Sequence, residues 1–373
     1  MLEAPPVPDA RRPYPSESPV PRRLARRRVA ATAAAVVAAL LFGGPLPARA
    51  APTPDAAAVA LVGDGARVLF VGNSFTQGYD EPVFSFGKNT VRDINRSGLG
   101  GVPGIVTRLA DDLGVTLDVS VEAAGGRSLR WHLDNRGTAL DERWDLVVAQ
   151  EYSLQALPTA RGGAPEQFRS AAREAHGRIL TSSPHARTVL FQTWASPASA
   201  RLQGYGTGAA ALRAMQNDLD AAYAAEAADR GWTRTAPVGE AFLRAVDEGI
   251  VDATPEDGLD AGTVRLWNAT DHRHAAAAGS YLAAAVLTAT LTHRNPQLLA
   301  VGEGSAAAAL GLGPETAETL HRIAADVVAV PLAVDARVRT VCRGDAAVAR
   351  VLVRNLDDVS VDVRSGQLTA LLG

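Results

Sequence analysis

Three residues in this 373-residue chain have the types and placement to act as one chemical unit. Ser74 follows the apolar run Val68-Leu69-Phe70-Val71 and the pair Gly72-Asn73. A short apolar run bounded by charge and glycine reads as a strand buried on both faces of a sheet. A serine just past it lies at the carboxyl edge, where open α/β sheets bind their ligands. Asp271 and His274 stand three apart in Trp267-Asn268-Ala269-Thr270-Asp271-His272-Arg273-His274. On one helical turn the two would project to the same side, and the carboxylate could hold the Nδ1 hydrogen of the imidazole and fix its tautomer. A serine hydroxyl attacks a carbonyl only when a base removes its proton, so these three types suit acyl transfer through a triad. The oxyanion formed in that attack needs fixed donors. Gly125-Gly126, beyond a second strand, would let a ligand approach the main-chain N–H. Each group also has a simpler use. Asn73, Ser74 and Thr76 would make a turn or a helix cap, Asp271 an N-cap, and the glycines a tight turn.

The elements that must position these residues alternate. Strands are expected at 68–71, 115–121, 144–150, 188–194 and 233–238, each an apolar or alternating run. Helical spacing joins Ile105, Leu109 and Leu113, then Phe168, Ala172, Ala175 and Ile179, then Leu212, Met215, Leu219 and Tyr223 up to Gly231. An alanine-rich helix is expected over 275–292, and Pro314 opens a last one with Leu320, Ile323, Ala324 and Val327 on one face. Strands alternating with helices of this length imply an α/β fold, here a three-layer, flavodoxin-like parallel sheet with helices on both faces. Glu122 to Ser128, Gln150 to Ser153 and Trp194 all fall at strand exits on the same edge. Trp194 would line a pocket or close the core. The glycine-dense stretch 98–104 does not follow the first strand at dinucleotide-fold spacing and reads as a loop before a helix.

Beyond residue 330 the pattern changes to period two, giving three expected strands around 334–340, 349–353 and 359–363. Three strands are too few for a sandwich domain, so residues 331–373 read as a partial β-module or tail. Cys342 is the single cysteine. It has no internal disulfide partner, and the fold rests on its core. At the other end, basic residues 22–28 precede an apolar run from Val29 to Phe42, and Ala48-Arg49-Ala50 supplies the small residues of a cleavage site. Residues 1–50 thus read as a signal peptide cut before Ala51, with 51–66 as a linker and the main domain over 67–330. A span would need about 20 apolar residues, so no stable membrane anchor is expected, and the paired arginines leave open which export route applies. The chain is 47% hydrophobic and 21% charged with net charge −3, which removes the basic excess that nucleic-acid binding requires. No cofactor is expected, and no His/Cys cluster has metal-ligand spacing. Asn268-Ala269-Thr270 matches a glycosylation acceptor. A Gly-x-Ser-x-Gly elbow is absent, which argues against an ordinary α/β-hydrolase.

Gly72-Asn73-Ser74 after the first strand, Gly126 after the second, the polar exit Gln150-Glu151-Tyr152-Ser153 and Asp271-x-x-His274 near the end occur in one order. In that order they resemble the SGNH (GDSL-like) hydrolases, over roughly Arg67 to Val330. The resemblance implies Ser74 as nucleophile, His274 as general base, Asp271 as its orienting partner, and the N–H groups of Ser74 and Gly126 as oxyanion donors, with Gly125 the alternative. Two blocks depart from the usual wording. Gly-Asn-Ser stands where Gly-Asp-Ser is commoner, and Gln-Glu-Tyr-Ser stands where Gly-x-Asn-Asp supplies a third donor. That wording is similar to a poorly characterised secreted bacterial branch of the superfamily. Gln150, at the end of a buried strand, is expected to replace the missing asparagine, with Tyr152 and Ser153 as alternatives. The function implied is a secreted serine esterase acting on O-acyl groups of a carbohydrate or on a small ester. The alternative is a non-catalytic carbohydrate-binding or cell-surface protein on the same fold.

Overall fold

The computed structural model describes residues 59–331 in full, together with the backbone of three later strands. In chain order the elements are β1 (Ala66–Gly72), α1 (Ser74–Gln77), β2 (Arg92–Asp93), α2 (Gly101–Asp112), β3 (Leu117–Ala123), α3 (Leu129–Arg136), β4 (Leu146–Ala149) and α4 (Pro165–Ser182). Then follow β5 (Arg187–Phe191), α5 (Pro197–Leu202), α6 (Gly208–Arg230), β6 (Arg234–Ala236), α7 (Val238–Asp247), α8 (Ala277–Thr292), α9 (Ala306–Ala309) and α10 (Pro314–Val328). The six strands form one parallel sheet in the order β2-β3-β1-β4-β5-β6. This is the expected α/β architecture.

Register follows from burial. Val68, Leu69 and Phe70 of β1 are wholly buried, and β1 is bonded to β3 on one side and β4 on the other. A strand so placed has no solvent face, which is why its sequence is a continuous apolar run. Each such side chain contributes about 1.5–3 kcal/mol by leaving water. The chain leaves β1 for β2 and β3 on one side, then crosses back to β4 on the other. The end of β1 is therefore a topological switch point, the position at which open sheets of this kind bind their ligands. Helices α2, α8 and α10 pack on one another, as do α3, α4 and α6 in succession, giving a layer on each face. Helix α8 is buried from Ala278 to Thr292, so it is apolar all round.

The sequence reading missed α3, α7, the short helices α1, α5 and α9, and the two-residue β2. It also placed Asp271 and His274 on a helical turn, whereas they stand in a tight non-helical loop before α8, whose N-cap is Ala276. The segment read as linker already packs on the core by Leu61 and Val62, whose N–H groups donate to the Leu291 carbonyl at 2.8 and 3.3 Å. The signal-peptide reading of residues 1–50 lies outside the described residues, as does the linker up to residue 58. No helix among the described residues is long and apolar enough to cross a membrane. The three period-two segments near the end are strands β7 (Ala336–Arg343), β8 (Ala346–Val353) and β9 (Val361–Val363), joined as an antiparallel sheet in that order.

Candidate active site

The nucleophile candidate is presented by a turn with almost no free space. Gly72 ends β1, and a Cβ there would meet Thr76 Oγ1 at 2.2 Å and Gln150 Oε1 at 2.6 Å. Only glycine lets the chain turn this tightly beside β4. Asn73 caps the short helix α1, its Oδ1 accepting from the Phe75 N–H at 3.2 Å. Ser74 is then the first helical residue and is half-buried.

Its partner comes from 200 residues further along the chain, and Ser74 Oγ lies 2.8 Å from His274 Nε2. On the far side of the ring, His274 Nδ1 donates to Asp271 Oδ2 at 2.5 Å. Nδ1 then carries the proton and Nε2 presents a lone pair to the serine, an assignment made from the partners of each nitrogen. Asp271 Oδ1 accepts the N–H groups of Arg273 and His274 at 2.9 and 3.0 Å, so one carboxylate folds the loop and orients the ring. Burial alone would raise the Asp271 carboxyl. The hydrogen bonds from the His274 ring and the two main-chain N–H groups outweigh it and hold the group at about 2. The loop is closed at its base by a bridge between Trp267 and Ala275, with the Asn268 N–H on the His274 carbonyl at 2.8 Å. His272 lies in the same loop with a positive φ of 48°, and its N–H donates to Asn268 rather than its ring meeting Ser74.

The oxyanion candidates lie between β3 and α3. Gly126 has φ +69°, a conformation few other residues adopt. Its loop is tied to the serine turn by the Ala124 N–H on the Gly72 carbonyl at 3.0 Å and by Asn73 Nδ2 on the Arg127 carbonyl at 2.9 Å. Neither the Ser74 N–H nor the Gly126 N–H has an acceptor among the described residues.

No protein-family model matches the chain, and neither does any curated protein sequence. Solved structures do. A DUF4886 family protein from Bacteroides uniformis is similar with TM-score 0.51 at 20% identity, over 72% of this chain and 96% of that one. A putative SGNH hydrolase from Slackia heliotrinireducens is 26% identical over 61% of this chain and 100% of its own, with TM-score 0.41. A putative GDSL-like lipase from Parabacteroides merdae is 16% identical over 62% of this chain and 97% of its own, with TM-score 0.42. The likeness to the DUF4886 family protein shows a shared fold.

The third block behaves differently from the sequence expectation. Gln150 is wholly buried, and its Oε1 accepts from the Asn73 N–H at 3.0 Å and from Thr76 Oγ1 at 2.9 Å. Because a main-chain N–H can only donate, the oxygen must face it, and Nε2 is left to donate to the Glu151 carbonyl. With Oε1 accepting from the serine turn and one Nε2 hydrogen on the Glu151 carbonyl, the buried Gln150 is a strut between that turn and β4. Ser153 is buried as well, and Tyr152 is half-buried. Trp194 closes the core. It is 1% exposed, stacks between Phe75 and Phe242, and donates from Nε1 to the Arg273 carbonyl at 3.1 Å.

Two further residues, given no role at the site from the sequence, shape it. Glu151 is buried with Oε1 accepting from the N–H groups of Leu129 and Tyr152 at 2.9 and 2.6 Å, while Oε2 has no partner. Burial pushes its carboxyl up to about 7 against the opposing pull of those two N–H groups. Asn268, the residue of the glycosylation motif, is 7% exposed. Its Oδ1 accepts from the N–H groups of Thr270 and Asp271 at 2.7 and 3.2 Å, and its Nδ2 donates to Asp80. The side chain is spent inside the fold and is not presented to a glycan. No metal-binding cluster occurs among the described residues.

Proposed function

We propose that this protein is a serine esterase that cleaves an O-acyl group from a carbohydrate or a small ester through an acyl-enzyme. The observation that carries this is the line Ser74 Oγ, His274 Nε2, His274 Nδ1, Asp271 Oδ2, with separations of 2.8 and 2.5 Å. In the first half-reaction His274 Nε2 takes the Ser74 proton as Oγ attacks the ester carbonyl. The oxyanion accepts from the N–H groups of Ser74 and Gly126, and the alcohol leaves with the proton returned from Nε2. Water then attacks the acyl-serine with His274 again as base, freeing the acid and restoring Ser74. Asp271, ionised far below neutral pH, stabilises the imidazolium formed in each half and is not itself protonated. The leader-like residues 1–50 support export, so the substrate would be met outside the cytoplasm.

A fluorophosphonate probe tests the reading, because it modifies a serine only when that serine is activated. Wild-type protein should become labelled at Ser74 and hydrolyse p-nitrophenyl acetate, and Ser74→Ala should lose both with an unchanged thermal midpoint. An unlabelled wild-type protein, or Ser74→Ala with turnover above background, removes the esterase.

A further inference from the structure

Five large apolar side chains are exposed among the described residues, and Tyr79 is the one aromatic in that group, with 45% of its surface open. It does not stand alone. Its ring lies flat on the imidazole of His274, with centroids 4.0 Å apart and planes 8° from parallel. Phe75 meets the same imidazole nearly edge-on, at 5.7 Å and 79°, and Phe75 is itself stacked on Trp194. The imidazole is therefore bounded in its own plane by Ser74 and Asp271, on one face by Tyr79 and at an edge by Phe75. The segment carrying Tyr79 is bolted to the loop carrying His274. Asp80 accepts from Asn268 Nδ2, and Asn268 also takes the Asp271 N–H and donates its own N–H to the His274 carbonyl. The phenol lies near two carboxylates, Asp271 and Asp80, and near Arg273. Burial and then the carboxylates push its pKa up, so the ring stays neutral through the physiological range.

A ring so placed acts on a histidine in two ways. It removes the freedom of the imidazole to rotate off the Ser74–Asp271 axis, and a small loss of aim costs a proton transfer heavily. It also offers the negative face of its π system to the imidazolium that exists only while the oxyanion exists. Both effects need an aromatic ring and neither needs the hydroxyl. We propose that Tyr79 is a positioning residue for His274, which holds the base in line and favours its protonated form in the transition state. This rests on the esterase reading of Ser74, Asp271 and His274.

The experiment compares Tyr79→Phe, Tyr79→Leu and Tyr79→Ala with wild type in kcat and KM for p-nitrophenyl acetate, and in the rate of fluorophosphonate labelling of Ser74. Tyr79→Phe should stay within about twofold of wild type, because the stacked face is kept. Tyr79→Leu fills much of the volume without a π face, and it and Tyr79→Ala should each lose roughly tenfold in kcat with KM changed far less. Labelling should slow by the same factor as kcat, and the thermal midpoints of all three should stay near wild type. Wild-type kcat in Tyr79→Leu and Tyr79→Ala would overturn the inference. So would a loss confined to KM, which marks a substrate contact, or a Tyr79→Phe as impaired as Tyr79→Ala, which would move the role to the hydroxyl. In all these cases a labelled wild type leaves the esterase reading standing. A wild type that takes no label removes that reading and this inference together.

Discussion

Two carboxylate–imidazole pairs stand at the carboxyl end of this sheet, and they differ in everything except their chemistry. Asp271 and His274 belong to a partly exposed loop, with side chains 25% and 16% exposed. Glu122, near the end of β3, and His132, on α3, form an equally direct pair with side chains 1% and 2% exposed. The other nitrogen decides what each pair can do. His274 Nε2 faces a serine hydroxyl, whereas His132 Nε2 is buried with no partner. Glu122 also accepts from Asn95 Nδ2 at 3.1 Å, so the buried pair pins the two ends of the loop that holds Gly126. A carboxylate that fixes an imidazole is thus a structural part until a nucleophile and an access route complete it.

The sharpest way to break the comparison is to remove each imidazole in turn. His274→Ala should lower kcat for p-nitrophenyl acetate on the order of 10⁴-fold while the thermal midpoint moves little. His132→Ala should do the reverse, since it strands a buried carboxylate. Its cost should appear in denaturant titration as about 1–3 kcal/mol of stability, with kcat of the folded fraction within about tenfold of wild type. A His132→Ala protein that folds normally and is as inactive as His274→Ala would erase the distinction drawn here.

A subtler test uses Glu151, a carboxyl that has neither imidazole nor open water. Its ordinary value is 4.5 and its folded value about 7. Below pH 4.5 the group is protonated in both states and contributes nothing. Between about 4.5 and 7 the folded protein keeps a proton that the unfolded chain has lost, so stability falls as pH rises, by less than about 1.4 kcal/mol per pH unit. Above 7 the loss is complete. Unfolding free energy of wild type and Glu151→Gln should therefore converge at pH 4.5 and separate, in favour of the variant, toward pH 8. Parallel curves would mean that Glu151 is charged in the folded protein throughout.

Much of this was legible in the sequence, for reasons that particular residues make plain. Strands β1, β4 and β5 are buried on both faces and announce themselves as apolar runs, and Ser74 follows the first of them directly. The pairing of Asp271 with His274 was visible as a spacing, although the loop that carries them is not helical. Among the helices of eight residues or more, two escaped notice. In α7 the buried residues Val238, Ala241, Phe242, Ala245 and Val246 repeat at helical spacing, a signal present in the sequence and overlooked. Helix α3 is short and buries only Leu129, His132 and Leu133, so its stripe is a single leucine pair flanking a histidine. The bracing role of Gln150 was hidden for a related reason. Its position at a strand exit was readable, but the closeness of Asn73 and Thr76, which bond its amide oxygen, exists only once β1 and β4 lie side by side. The stacking of Tyr79 on His274 joins residues 195 positions apart and left no local trace.

Helix α8, buried on every side and joined directly to the base loop, has a consequence for time as well as for shape. Its amides have no local route to solvent and should exchange only when the whole domain opens, on the slowest scale the molecule possesses. The histidine is moored one residue pair before that helix, with the Ala276 N–H on the Leu266 carbonyl at 2.8 Å fixing the mooring. Fraying at the surface therefore reaches Tyr79 and the glycine loop long before it reaches the base. Heat or denaturant should first loosen what surrounds the imidazole and only at the end move the imidazole itself.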